Sequence, residues 1–287
     1  MILQETYTLA NGVEIPKLGL GTWKIPNDRA AEAVREAVAL GYRHIDTAQA
    51  YQNEKGVGQG LRDGDIPRDK IFVTTKLAAE IKSYAEAVEA IDGSLEALGL
   101  DTIDLMLIHS PQPWRKFGKE ERFFEGNREA WRALEEAYKA GKLRAIGVSN
   151  FQKVDLENIL EGCSVKPMVN QILAHISNTP EDLIRYTKQQ DILVEAYSPI
   201  AHGELMKHDE VKAMASAYDV SIPQLAIRYT LQLGLLPLPK TGNPDHMKSN
   251  AELDFTISEE DMQKLRDLPQ IEDYGEASNI PVFGGKR

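Results

Sequence analysis

IDLMLIH, residues 103–109, is an almost unbroken apolar run that ends on a histidine. Such a run suits a parallel strand covered on both faces. Six other runs close on a polar residue in the same way: YRHIDTA (42–48) around Asp46, IFVTTK (71–76) on Lys76, RAIGVSN (144–150) on Ser149 and Asn150, PMVNQ (167–171) on Gln171, ILVEAYS (192–198) on Tyr197 and Ser198, and LLPLPK (235–240) on Lys240. KLGLGTW (17–23) ahead of them makes eight strand-like runs. In a (β/α)8 barrel the C-terminal strand ends meet at one face, where active sites sit. Polar residues spread from Asp46 to Lys240 would then share one pocket.

Helix-like stretches fill the gaps. The first is capped at Asn27 and stops near Gly41; the second runs from about Asn53 to Leu61. Ser83 with Glu86 reads as a capping box for a third, whose Val88, Ile91, Leu95 and Leu98 share a face. A fourth starts after Asn127, carries Trp131, Leu134 and Tyr138, and stops at Gly141; a fifth lies near 154–161. Thr179 and Pro180 read as N-cap and first residue of a sixth, with helices near 209–217 and from Ser221–Gln224 after it. Strict alternation of strand and helix favours a parallel sheet. The count of eight favours closure over a doubly wound sheet, as does GLGTWK, which lacks a dinucleotide fingerprint. YTLANGVEIP (7–16) has the Asn-Gly turn of a hairpin and is expected to plug the barrel's bottom. The longest irregular segment, about 111–126, falls at the active face, and loops of that length are often functional. The tail from Tyr274 either folds over the pocket as a C-terminal loop or frays. No linker divides the 287 residues, so one barrel domain is expected over 1–287.

The net charge of −11 argues against a nucleic-acid partner. A single cysteine, Cys163, excludes an internal disulfide and suits a reducing compartment. No apolar run reaches the ~20 residues of a membrane span, and the first residues lack the pattern of a signal peptide. A cytoplasmic protein without a membrane partner is expected; nothing calls for a metal.

Asp46, Tyr51, Lys76 and His109 are the residues with chemistry in them. A phenol near its reference pKa of ~10 is a weak acid at neutral pH. An ammonium beside it stabilises the phenolate and lowers that value. Lys76 supplies the charge, Asp46 holds Lys76, and Tyr51 becomes a proton donor to an alkoxide formed as a carbonyl is reduced. His109 donates a hydrogen bond to the same oxygen. Each has a plainer reading alone: an Asp–Lys structural ion pair, a packed loop tyrosine, a satisfied core histidine. His44 is given that last reading. The four together, on successive strands, are harder to explain as packing.

DTAQAYQNEKGVG (46–58), VTTKL (73–77), LIHSP (107–111), GVSNF (147–151), VNQI (169–172), AYSP (196–199) and LPKTGNP (238–244) together resemble the aldo-keto reductase family, in its order, from about Tyr7 to Leu268. The resemblance implies a (β/α)8 barrel that reduces aldehydes and ketones with a nicotinamide cofactor, usually NADPH. It places the family's catalytic Asp-Tyr-Lys-His set on Asp46, Tyr51, Lys76 and His109. It implies that Ser149, Asn150 and Gln171 hydrogen-bond the nicotinamide carboxamide, that Tyr197 stacks on the ring, and that Ser198 belongs to the same cofactor site. Lys240, Thr241 and Asn243 would grip the adenosine 2′-phosphate, with Asn250 at the adenine; the plainer reading is a capped surface helix opening at Asn243 and Pro244. Ser149 and Asn150 also read as caps.

Three departures stand out. His246 occupies a position where the family commonly has arginine, and a mostly neutral imidazole replaces a permanent charge. NADP(H) use with some tolerance of NAD(H) is therefore expected. Ser110 stands where a tryptophan often follows the histidine, and Leu173 and Ala174 replace Glu and Tyr in NQILAHIS. With Trp23 and Trp114, Ser110 is expected to line the substrate pocket. The partner is a small-molecule carbonyl compound, and the resemblance implies a monomer. Two other classes remain open: a Schiff-base lyase using Lys76 or Lys240 as nucleophile, and a nucleotide-binding protein without catalysis.

Overall fold

The computed structural model describes residues 1–284. A two-stranded antiparallel hairpin, β1 (Thr6–Thr8) and β2 (Glu14–Pro16), precedes an eight-stranded parallel sheet. The sheet's strands are β3 (Leu20–Gly21), β4 (His44–Asp46), β5 (Phe72–Leu77), β6 (Ile103–Ile108), β7 (Leu143–Ser149), β8 (Val169–Leu173), β9 (Leu193–Tyr197) and β10 (Leu236–Leu238), each beside its neighbour in sequence. The ring closes where Gly19 and Gly21 donate to the carbonyls of Pro237 and Pro239, with a parallel bridge between Gly21 and Lys240. The expected (β/α)8 barrel is the fold.

Ten α-helices surround it among the described residues: α1 (Asn27–Ala39), α2 (Glu54–Asp63), α3 (Tyr84–Leu98), α4 (Phe124–Lys139), α5 (Lys153–Leu160), α6 (Glu181–Gln189), α7 (Asp209–Ala217), α8 (Ile222–Gln232), α9 (Pro244–Asn250) and α10 (Glu259–Arg266). Alternation is not strict, because α7 and α8 both lie between β9 and β10.

Several helix starts differ from the sequence expectation, because the expected capping side chains bond elsewhere. Asn27 does not cap α1; it is the first helical residue, and its Oδ1 accepts from the Gly56 amide. α1 and α2 approach so closely there that a β-carbon on Gly56 would lie 2.2 Å from the Asn27 carbonyl oxygen. α4 begins at Phe124, and buried Asn127 donates instead to the carbonyl of Pro111. Thr179 donates to His175, leaving Pro180 as N-cap of α6. At α3 Ser83 accepts from the Glu86 amide but itself donates to the Glu86 carboxylate, so only half of the capping box forms. The Ser221–Gln224 box forms fully.

The hairpin turns at Gly12, whose φ of +83° suits glycine. Tyr7 reaches the carbonyl of Leu235, just before β10, and Asn11 reaches that of Arg144, at the start of β7. Both contacts lie at strand beginnings, so the hairpin closes the bottom, with Ile15 buried beneath it. At the opposite end the tail is folded. Two 3-10 turns, Gly275–Asn279 and Pro281–Phe283, bring Phe283 to 4.4 Å from the His202 ring and 6.2 Å from that of Trp23, centroid to centroid. Of the two alternatives for the tail, folding over the pocket is the one adopted through residue 284.

Candidate active site

Side chains alternate across a strand with a period of two, and the register decides which face the barrel interior. Asp46 pairs with Thr74 and Thr74 with Leu105, so Lys76 stands one inward step above Thr74, and His109 two steps above Leu105. Gln171 pairs with both Ser149 and Glu195. These inward positions at the strand ends open into a cavity of about 580 Å³, within the usual range for small-molecule sites. Asp46, Tyr51, His109, Ser149, Asn150, Gln171, Tyr197, Ser198 and Lys240 all line it.

Lys76 is wholly buried, and its ammonium donates to both oxygens of Asp46, at 2.8 and 2.7 Å, and to the carbonyl of Thr47 at 2.9 Å. The same nitrogen lies 3.3 Å from the Tyr51 hydroxyl. Burial works against the Lys76 charge, but Asp46 and Tyr51 outweigh it and hold the ammonium above its ordinary pKa. For Tyr51 the balance goes the other way from the sequence expectation. Burial raises the phenol pKa more than the Lys76 charge lowers it, so the hydroxyl keeps its proton at neutral pH. His109, 7% exposed, is held neutral by burial and by Lys76, and its ring meets those of Tyr51 and Trp114 edge-on at 5.7 and 5.0 Å. Tyr51 sits on a short turn, Gln49–Tyr51, which the Gln49 amide ties to Ala78 after β5 and to Ala90 and Ser94 of α3.

The next group is linked internally. Asn150, at a φ of +62°, donates to the carbonyl of His109 and to Ser149 Oγ, and its Oδ1 accepts from the Tyr197 hydroxyl at 2.7 Å. Ser149 Oγ donates to the Gln171 carbonyl. Neither serine nor asparagine caps α5, whose capping box is Gln152 with Asp155. With its hydroxyl tethered, Tyr197 offers its ring to the cavity. Ser198 bonds His202, also on the wall.

The remaining predicted residues divide. Trp23 and Trp114 line the cavity. Ser110, expected to line it, does not: it is fully buried, and its hydroxyl accepts from the Gln112 backbone amide. Thr241, Asn243, His246 and Asn250 lie beyond the cavity lining. Thr241 and Asn243 spend their side-chain oxygens on the Asn243 and Asp245 amides, which folds the turn into α9. His246 is exposed on α9, and Asn250 is buried at its end. Lys240 is exposed at the rim near Lys24, whose ammonium lies over the Trp23 ring.

Residues that sequence reasoning passed over complete the wall. Ile280, Pro281, Val282 and Phe283 come from the tail, where no periodicity marks them. Gln112 is nearly buried and staples the 111–126 loop: its amide nitrogen donates to the carbonyls of Lys119 and Glu121, and its oxygen accepts from Gly118.

Together these features define a (β/α)8 barrel with one acid–base centre at its C-terminal mouth. The chain belongs to the aldo/keto reductase family, whose model matches residues 17–269. It is 41% identical to the glyoxal reductase of Bacillus subtilis (strain 168) over 275 residues, covering 95% of this chain and 96% of that one. It is 38% identical to the 9,11-endoperoxide prostaglandin H2 reductase of Trypanosoma cruzi (strain CL Brener), with 93% of each covered. Among solved structures, a Bombyx mori aldo-keto reductase in complex with NADP superposes with a TM-score of 0.84 at 31% identity, covering 96% of each chain. The chain is therefore an oxidoreductase of the carbonyl-reducing kind.

Proposed function

We propose that the protein reduces an aldehyde or ketone to an alcohol with NADPH, Tyr51 giving the proton. One observation carries this reading: a buried ammonium, fixed by both oxygens of Asp46, lies 3.3 Å from the hydroxyl of Tyr51 at the cavity wall. The nicotinamide, when bound, supplies a hydride. Every other task falls to the chain's own residues.

Tyr51 holds its proton in the resting site because it is buried, and releases it when a far stronger base, an alkoxide, forms against its oxygen. The phenolate left behind is stabilised by Lys76, whose charge is already ordered and needs no rearrangement. Neutral His109 orients the carbonyl through a ring N–H. The cavity suits the cofactor: Gln171, Ser149 and Asn150 stand together on one wall, and the ring of Tyr197 is held by its hydroxyl bond to Asn150. Those residues would hold the carboxamide end, with Ser198 nearby. Lys240, Thr241 and Asn243 would hold the adenosine 2′-phosphate, with Asn250 at the adenine. The exposed imidazole of His246 adds no permanent charge there, so NADPH is preferred and NADH tolerated. Lys76 is a poor Schiff-base nucleophile, since Asp46 keeps it charged. We infer a cytoplasmic monomer; among the described residues no helix is long and apolar enough to cross a membrane.

The test is steady-state oxidation of NADPH and of NADH with a reactive aromatic aldehyde. Consumption of NADPH faster than NADH is expected. Binding of both without turnover would reject the reductase reading in favour of a nucleotide-binding protein.

A further inference from the structure

Glu195, in the middle of β9, is a carboxyl with no exposed surface and no role in the chemistry above. Its Oε2 accepts from the Gln171 amide nitrogen at 2.8 Å, and that same nitrogen donates to Asp46 Oδ1 at 2.9 Å. Its other oxygen, Oε1, is buried without a hydrogen-bond partner. One amide NH₂ is thus held between two buried carboxyls, of which only Asp46 has a cation against it.

The groups facing Glu195 are few: Gln171 across β8, Leu236 across β10, and the Asp46 and Lys76 charges across the interior. Burial, then the Asp46 charge, raises its pKa to about 8, against smaller pulls from Gln171 and Lys76. Both effects favour the neutral acid form of Glu195 at pH 7. The amide cannot flip cheaply, because flipping would turn its oxygen onto the carboxylate of Asp46.

We propose that Glu195 is a positioning residue for the nicotinamide end of the site. With Asp46 it holds the Gln171 amide nitrogen from behind, which turns the amide oxygen to the cavity as an acceptor. The proposal rests on the cofactor reading above, and says which of Gln171's two polar atoms the carboxamide meets.

The test compares wild type with Glu195→Gln and Glu195→Leu. NADPH and NADP⁺ dissociation constants are measured by tryptophan fluorescence at pH 7 and pH 9, with melting curves to verify folding. Glu195→Leu removes the acceptor and should weaken NADPH binding about fivefold at pH 7, the size of one lost hydrogen bond. Glu195→Gln keeps an acceptor oxygen and should restore most of that loss.

In wild type, ionisation of Glu195 above pH 8 adds a negative charge near the ring that is cationic when oxidised. Affinity for NADP⁺ relative to NADPH should therefore rise several-fold from pH 7 to 9, and Glu195→Gln should abolish the rise. Unchanged binding by Glu195→Leu, no rescue by Glu195→Gln, or a pH effect that persists in Glu195→Gln would each overturn the proposal while leaving the reductase reading intact. Failure of wild type to bind either form would overturn both.

Discussion

Tyr51 stores a proton because burial outweighs the ammonium beside it, and Lys76 then stabilises what remains once the proton has gone. Tyr51→Phe should keep the fold and NADPH affinity and lower kcat by about 10²–10⁴, the usual worth of a general acid; retained turnover in a stopped-flow or steady-state assay would remove Tyr51 from that role. Lys76→Met should be inactive and less stable by about 3–5 kcal/mol in urea unfolding, since Asp46 is left buried without its cation. Asp46, Tyr51, Lys76 and His109 were legible in the sequence because each is a polar group ending or following an apolar run, where a barrel collects its strand ends. Glu195 was not legible. It sits inside ILVEAYS at an inward position, and only the register opposite Gln171 brings it to the site. The direction of the Tyr51 shift was also hidden, because it depends on how deeply the hydroxyl is enclosed.

At the scale of elements, the barrel strands read well because a parallel strand covered on both faces is a continuous apolar run. Helix starts read less well, because Asn27 and Asn127 bond outside their own helices and Thr179 bonds the carbonyl of His175 and the hydroxyl of Tyr229 in α8. The 111–126 loop shows the same thing at larger size. One side-chain amide, that of Gln112, makes three hydrogen bonds within it. Gln112→Ala should free the loop and the Trp114 wall: limited proteolysis should cut between Lys116 and Arg122, and KM for the carbonyl substrate should rise several-fold with NADPH affinity unchanged. A protease-resistant variant with unaltered KM would show that the loop holds without its staple. The tail gave no signal at all, since Phe283 finds its place among Trp23, Tyr197, His202 and Tyr274 by ring packing rather than by any repeat.

For the whole molecule, buried titratable groups set how stability changes with pH. His44 and His175 have folded pKa values of about 3 and about 4, lowered from 6.5 chiefly by burial. Between those values and 6.5 the unfolded chain binds more protons, so the stability they contribute is full above pH 6.5 and falls as pH drops. Glu195 acts oppositely: with a folded value of about 8 against 4.5, the folded state binds more protons in that window and gains stability as pH falls through it. Melting curves at pH 7 and 5 should separate the two. His175→Gln should lose less on acidification than wild type, by about 2 kcal/mol, and Glu195→Gln should lose more. Equal slopes in all three proteins would mean that these groups are not buried in the unliganded protein. The barrel also has two unlike ends. The first residues pack beside the hairpin under the strand beginnings, while the chain at Phe283 lies on the cavity wall. Polarity of this kind governs how the protein behaves on a solid support. Tethered through its first residues it turns its mouth to the solution, whereas anything grafted beyond Phe283 starts at the doorway that reactants must use.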